Sequence, residues 1–419
     1  MKDKHIHIIG GGAIGLCTAF YLQQLGYQIT IIDKSSFKEG ASYGNAGMIV
    51  PSHFVPLAAP GVIWQGLKWL LNSNSPFYIR PRFDRELWMW LWQFYASCTT
   101  RHLKHAMPLL HALNEWSAEL FDQIASEESF HFDLEKKGLL MLFNSKKQEQ
   151  KERKLLQMAH KLGVAAELLN QKEAQELNAG LEMNIRAAVY FPEDAHFKPS
   201  LFMNQMKALL KAKGVQFLNE EIVDILIENR KPKVLKTKKK EMIDTNGVIV
   251  SAGAWSARLL KKMGFSLLLQ DGKGYSITIN SKHPSPKIPS ILTEGKIAIT
   301  PFAKQMRISG TLELSGLSKK INTQKVKAII QGVSTYYPEI AVQDFPLENA
   351  WYGFRPCSPD GLPYLGQFAG IDNLIVACGH GMMGMSMAPV TGKLVSLLVD
   401  KQSLPIDIRL LRLDRFNKN

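Results

Sequence analysis

An α/β fold, built on a nucleotide-binding βαβ unit with a second, β-rich domain, is predicted by three features of the 419-residue chain. An apolar run at 6–9 leads straight into Gly10, Gly11 and Gly12 and then Ala13-Ile14-Gly15. A second apolar run at 29–32 ends on Asp33. Strand-like and helix-like segments then alternate to the end of the sequence, and glycine-rich junctions recur at Gly253 and at Gly379-His380-Gly381.

The first run reads as a buried parallel strand and the residues after Gly12 as the opening of a helix. Gly10 permits the tight turn, Gly12 lets a pyrophosphate approach the backbone, and Gly15 lets the helix pack close to the strand. The helix N-terminus offers free N–H groups and a positive dipole end to phosphates. Leu16, Ala19, Phe20 and Leu22 fall at helical spacing, and Gly26 suits the position that closes the helix. At the end of the second strand Asp33 can accept hydrogen bonds from a ribose 2′-hydroxyl, which disfavours a 2′-phosphate and hence NADP. Strand, glycines, helix, strand and acid stand in the order of a Rossmann-like unit, and an ordinary glycine-rich turn would not produce that order.

Length and a hydrophobic content of 46% fit two domains with sizeable cores. Cys17, Cys98, Cys357 and Cys378 are widely spaced with no CxxC pair, which fits reduced thiols and argues against a zinc site or a disulfide framework. No metal is expected. The sequence opens directly on the first strand, and no apolar run reaches ~18 residues, so the expectation is a cytoplasmic protein. The formal charge of +14 comes largely from runs at 231–241 and 409–418, in which Phe416 is the single aromatic. They read as solvated faces rather than a nucleic-acid site. A peripheral contact with anionic lipid at the inner membrane is the alternative use of that charge, at ~1 kcal/mol per basic residue near the surface.

Residues 34–60 contain Gly-Ala-Ser-Tyr-Gly-Asn-Ala-Gly at 40–47, a small-residue run suited to backbone wrapped around a ligand. The stretch 64–98 is aromatic and reads as helical, with Trp64, Trp69, Trp88, Trp90 and Trp92. Packing in a core, a wall over a substrate pocket, or a membrane or quinone contact would each suit these indoles. A helix follows at 109–124, a strand at 138–143, a charged helix at 146–162 and a strand at 187–191. The chain then returns to nucleotide-fold style with a helix at 199–213, a strand at 215–218, a hairpin around 222–244 and a strand at 247–255. An irregular β region at 275–310, a helix at 323–336, a strand at 373–378 and a helix at 386–398 complete the pattern. These segments divide into a discontinuous nucleotide domain (1–62, 195–262 and 346–419) and a cap (63–194 and 263–345). His380 is a candidate base, although a small-residue loop at a helix start serves its backbone first.

Taken together, Gly-Gly-Gly-Ala-Ile-Gly with Asp33, Asn-Ala-Gly at 45–47, Ala-Ala-Pro-Gly at 58–61, Lys-Gly-Tyr-Ser at 273–276, Gly-Phe-Arg-Pro-Cys-Ser-Pro-Asp-Gly at 353–361 and Gly-His-Gly at 379–381 give a whole-chain resemblance. The sequence resembles the D-amino-acid oxidase/dehydrogenase superfamily of FAD-dependent oxidoreductases, most closely the small subunits of bacterial D-amino-acid dehydrogenases. The resemblance implies noncovalent FAD in the nucleotide domain and a β-rich substrate domain over the flavin. Gly10, Gly12 and Gly15 would lie on the pyrophosphate with Ala13 and Ile14, Asp33 on the ribose with Lys34 and Ser42 nearby, and Asn45, Ala46 and Gly47 along the isoalloxazine. Val223 would contact the adenine, Gly253 the crossover strand, and Gly379, His380, Gly381 and Met382 the pyrimidine end of the flavin.

The implied reaction is dehydrogenation of D-amino acids or D-configured imino acids such as D-hydroxyproline, by hydride transfer from Cα to flavin N5. Arg355 would anchor the substrate carboxylate, a role that its bidentate fork suits on physical grounds alone, with a buried structural ion pair as the alternative. Tyr275 and Arg307 are the next residues to consider. The resemblance departs at 51–53, Pro-Ser-His, where the dehydrogenase pattern carries a tyrosine after the proline, so His53 is a candidate for altered substrate preference. A quinone or respiratory carrier would take the electrons. The alternatives are a glycine- or sarcosine-type amine oxidase using oxygen and an NAD-binding protein without flavin.

Overall fold

In a computed structural model of the chain, which describes residues 4–70, 75–127, 130–280, 285–341, 343 and 345–416, apolar runs from distant parts of the sequence meet in one sheet. Lys418, at the end of the basic tail, lies outside the described residues. Strand β1 (His5–Ile9) pairs in parallel with β2 (Gln28–Asp33) on one side and with Val248–Val250 on the other. Gln216–Asn219 extends the sheet beyond β2. Leu374–Cys378 and the antiparallel edge Tyr364–Gln367 complete it at the other end. The central strands are buried almost residue by residue because helices cover both faces, which is why they read as continuous apolar runs rather than alternating ones.

Helix α1 (Ala13–Gln24) lies between this sheet and the helix Ala388–Val399. The two helices approach so closely that a Cβ at Gly392 would fall 2.5 Å from the Cys17 backbone carbon. The C-terminal helix begins at Ala388 rather than at 386, because turns fill 381–387 and Pro389 sits in the first helical turn. The expected strand at 247–255 is shorter: it ends at Val250 and turns at Gly253–Trp255 into the helix Ser256–Lys262.

Among the described residues the cap is one nine-stranded sheet. Its centre is the antiparallel set Ala350–Cys357, Gln270–Asn280, Gln305–Leu314 and Ile297–Phe302. Helix Thr323–Tyr336 covers one face, packing Val326, Ile329 and Val333 into a core with Ile277, Met306 and Ile308. The alternate residues Gly274, Ser276, Thr278, Arg307 and Ser309 line a cavity on the opposite face. The strand Ala350–Cys357 of this sheet lies beyond the expected boundary at 346. Ala350–Cys357 pairs residue for residue with Gln270–Asn280, so the chain leaves the cap only after Cys357.

The aromatic stretch is not one helical run. It divides into the helix Val62–Leu70, the strand Phe77–Ile79 and the helix Arg85–Ser97, with Asp84 capping the last through the Glu86 and Leu87 N–H groups. Trp90 is buried and donates to the Cys357 carbonyl at 2.8 Å. Trp88 and Trp92, one helical turn apart, are 61% and 66% exposed, and Trp64 is 73% exposed. A strand at Glu167–Asn170 and a helix at Gln171–Leu177, unexpected from the sequence, extend the far edge of the cap. No helix among the described residues is long and apolar enough to cross a membrane.

Candidate active site

A cavity of about 1880 Å³ runs between the C-terminal ends of β1 and β2 and the open face of the cap sheet. At one end is the glycine turn. Gly10 has φ of +115°, and a Cβ there would stand 2.4 Å from the Ser251 carbonyl oxygen. A Cβ at Gly15 would stand 1.9 Å from the Gly10 carbonyl oxygen, so α1 can follow β1 this tightly only with glycine at both positions.

Two of the N–H groups at the turn are taken by side chains. Asp33 accepts from Gly11 N–H at 2.7 Å, and Ser42 Oγ accepts from Ala13 N–H at 3.0 Å. Gly12 and Ile14 line the cavity with N–H groups that have no partner among the described residues. Asp33 also receives the N–H and hydroxyl of Ser35, at 2.8 and 2.7 Å. Three bonds on a carboxylate with about four acceptor positions leave capacity for a ribose hydroxyl. Lys34 lies 3.4 Å from the ring centre of Trp255, over its face. The glycine cradle, the free N–H groups and the acid fit a dinucleotide cofactor such as FAD.

Opposite the turn stand two arginines. Arg307 is buried, donates to the carbonyls of Tyr43 and Asn45 and to Thr278 Oγ1, and has its pKa brought down to about 10 by burial. It ties the loop at 43–45 to the cap sheet. Arg355 donates to the Thr311 carbonyl at 2.6 Å, and burial likewise lowers its pKa. Its guanidinium lies so close over Gly274 that a Cβ there would be 1.9 Å from Nη1. Neither arginine has a carboxylate within ion-pair distance among the described residues. Arg355 therefore keeps most of its five donors available at the cavity, unlike a cation in a structural ion pair.

Most of the expected residues are brought together here. Gly10, Gly12, Asp33, Asn45, Val223 and Met382 share the cavity wall with Arg355 and His53. So do Ala13, Lys34, Ser42, Ala46, Gly253 and Gly381. Gly15 and Gly47 do not reach it: Gly15 faces Gly10, and a Cβ at Gly47 would meet the Phe197 carbonyl at 2.2 Å, so both serve close packing.

Two expected residues line the cavity but have side-chain polar atoms bonded within the chain. Tyr275 donates to Glu313 at 2.7 Å and accepts from Asn322 N–H at the start of the cap helix, so its hydroxyl belongs to the covered side of the sheet. His380 bonds Thr391 Oγ1 at 2.9 Å, and burial lowers its pKa to about 4. His380 lines the cavity with its Nε2 held by Thr391. Ser52, which is hydrogen-bonded to His53, and Asp194, which accepts from Ser52, were not singled out by the sequence. The only signal was Asp194 at the polar end of the strand Ala187–Phe191.

The sequence profile described as FAD dependent oxidoreductase (DAO) matches residues 5–398. The chain belongs to this family of FAD-dependent oxidoreductases. It is 31% identical over 399 residues to a D-amino acid dehydrogenase of Helicobacter pylori, covering 94% of each chain. It is 30% identical to a D-amino acid dehydrogenase of Vibrio vulnificus, covering 94% of this chain and 95% of the relative. Among solved structures, glycine oxidase from Geobacillus kaustophilus superposes with a TM-score of 0.79 at 22% identity over 98% of each chain, a likeness of fold.

Proposed function

We propose that this flavoenzyme dehydrogenates D-amino acids or D-configured cyclic imino acids. The observation that carries the reading is Arg355, a cation without an acidic partner among the described residues, held by one backbone carbonyl on the cavity face of the cap. Its planar fork would take the substrate carboxylate in two parallel charge-assisted hydrogen bonds and so fix which face of Cα meets the cofactor. Gly274 provides the room for that guanidinium. Arg307 would hold the loop 43–45 in place beside the reacting end. FAD, when bound, supplies the acceptor for the Cα hydride. The protein's share is positioning and exclusion of water, together with a neutral substrate amine at the moment of oxidation. The curated relatives named as D-amino acid dehydrogenases support the choice of substrate class.

We further propose that electrons leave to a carrier in the membrane and that the protein attaches to the cytoplasmic face through its exposed aromatic helices. Trp88, Trp92 and Tyr95 lie on one face of Arg85–Ser97, with Phe83 and Trp64 also exposed and Arg80, Arg85 and Lys68 exposed among them. Indoles beside cations suit the headgroup region of an anionic bilayer. A dye-linked assay across D- and L-amino acids, glycine, sarcosine and hydroxyproline isomers, with oxygen uptake followed in parallel, tests the whole reading. Dye reduction by D-enantiomers without oxygen uptake is expected. Preference for L-enantiomers, oxygen consumption with glycine, or a colourless protein that binds NADH would each contradict it.

A further inference from the structure

Beside the cavity, outside the roles already assigned, a buried carboxylate, a hydroxyl and an imidazole are connected in series. Asp194, in the turn after the strand Ala187–Phe191, is 1% exposed and accepts both the N–H of Ser52, at 3.1 Å, and its hydroxyl, at 2.5 Å. Ser52 Oγ lies 3.0 Å from His53 Nδ1. A serine has one hydroxyl proton, and with Asp194 ionised it points to the carboxylate, so Ser52 can then only accept from His53. Nδ1 therefore carries the ring hydrogen, and Nε2 is left as a bare acceptor with no partner among the described residues, on a ring that lines the cavity.

We propose that Asp194, Ser52 and His53 form a proton relay that opens into the substrate cavity and takes the ammonium proton of a bound amino acid before its oxidation, which rests on the amino-acid reading above. In the transfer, His53 Nε2 gains the ammonium proton, Nδ1 gives its hydrogen to Ser52 Oγ, and Ser52 gives its own to Asp194 Oδ2. One proton enters at Nε2 and one is held at the carboxylate. His53 is the group that touches substrate, and Ser52 and Asp194 are positioning and storage groups behind it.

The electrostatics agree with this division. Burial, and secondarily Lys296, brings the His53 pKa down to about 4, so the ring passes a proton on rather than keeping it. Burial brings Asp194 up to about 7 against the pull of two bonds from Ser52, with Glu193 adding to the rise, so the carboxylate is the group able to store a proton near neutrality. Lys296 in turn faces Glu152 and Lys151 of the helix Lys146–Lys161.

Two measurements test the relay. Nitrogen-15 NMR of the holoenzyme labelled at histidine reads the His53 tautomer directly. Hydrogen on Nδ1 at pH 8, lost from that position in Ser52→Ala, is expected, and hydrogen on Nε2 in the wild type overturns the proposal. The second is the rate at which a D-amino acid bleaches the flavin absorbance, followed against pH. The wild type should show an ionisation near pH 7. Ser52→Ala and Asp194→Asn should lose it and fall tenfold or more at pH 7, with FAD content and the dissociation constant for the amino acid unchanged. An ionisation that survives in both variants overturns the relay. If no amino acid bleaches the flavin, the proposed function has failed, and the tautomer alone decides whether the relay exists.

Discussion

The glycine turn and the cap wall face each other across one cavity, yet they are maintained by opposite means. At the turn, Gly10 and Gly15 let backbone meet backbone where any side chain would collide, and the ligand-facing groups are main-chain N–H. On the wall, Arg307 and Arg355 are fixed cations whose hydrogen-bond partners among the described residues are neutral oxygens. One region works by what the chain leaves out, and the other by charge it does not neutralise. The difference implies that damage at the turn should show as lost cofactor or lost fold, and damage on the wall as lost turnover with the cofactor in place.

The largest effect should come from Gly15→Ala. A Cβ 1.9 Å from a backbone oxygen has no flexible neighbour to displace, so β1 and α1 must separate. A cost of at least ~3 kcal/mol is expected, read as a lowered Tm and protein purified without flavin. Gly26→Ala, where a Cβ meets nothing within 4 Å but φ is +78°, should cost only ~1–2 kcal/mol and keep the flavin.

On the wall, Arg355→Ala should lower kcat/KM by on the order of a hundredfold, the loss of charge-assisted bonds to a carboxylate, while FAD content stays near the wild-type level. Arg307→Ala would depart from that pattern. Its bonds hold Tyr43 and Asn45, so flavin retention should fall together with turnover, and the two arginines can be told apart by absorbance per mole of protein.

Asp33→Asn sharpens the comparison from the turn side. The substitution keeps an acceptor but removes the charge that binds the Gly11 and Ser35 N–H groups, so FAD affinity should fall about tenfold, or ~1.4 kcal/mol. Titration of apoprotein with FAD measures it.

A further effect concerns pH. His380 is held neutral down to about 4, below its ordinary 6.5, by burial. As pH falls from 6.5 to about 4 the unfolded chain gains a proton that the folded ring refuses. Stability contributed by the neutral ring is thus full above 6.5 and declines across that interval, by at most ~1.4 kcal/mol per pH unit. His380→Gln should make urea-melt stability fall less steeply between those pH values. A slope remains, because His7 and His196 are lowered to about 4 by burial too.

The turn was legible in the sequence because its signals are local: glycines, apolar runs and an acid within 33 residues state the whole unit. Helix Thr323–Tyr336 and strand Leu139–Phe143 were legible for the same reason. The wall was only partly so. Arg355 stood out through the resemblance, but nothing near it in sequence says that its partner is Thr311 or that Gly274 lies beneath it, since both come from strand pairing across the cap. Tyr275 stood next after Arg355, and nothing near it in sequence says that Glu313, 38 residues away, takes its hydroxyl. The series through Asp194 and Ser52 spans 142 residues and has no local signature. The exposed aromatic face was readable in part: Trp88, Trp92 and Tyr95 recur at helical spacing, and Trp90 falls between them on the buried side.

The central claim is that a cation on the cap wall holds the substrate carboxylate against a cofactor held by the turn. Anaerobic mixing of the purified flavoprotein with a D-amino acid and, separately, with the corresponding D-amino acid amide tests it most directly, with bleaching of the flavin absorbance followed in the wild type, Arg355→Lys and Arg355→Ala. Rapid bleaching by the acid and slow bleaching by the amide are expected in the wild type. The acid should slow stepwise from Arg to Lys to Ala, and the amide should hardly change. Equal losses for acid and amide, or flavin absent from the variants, would show that Arg355 supports the structure and that the carboxylate is bound elsewhere.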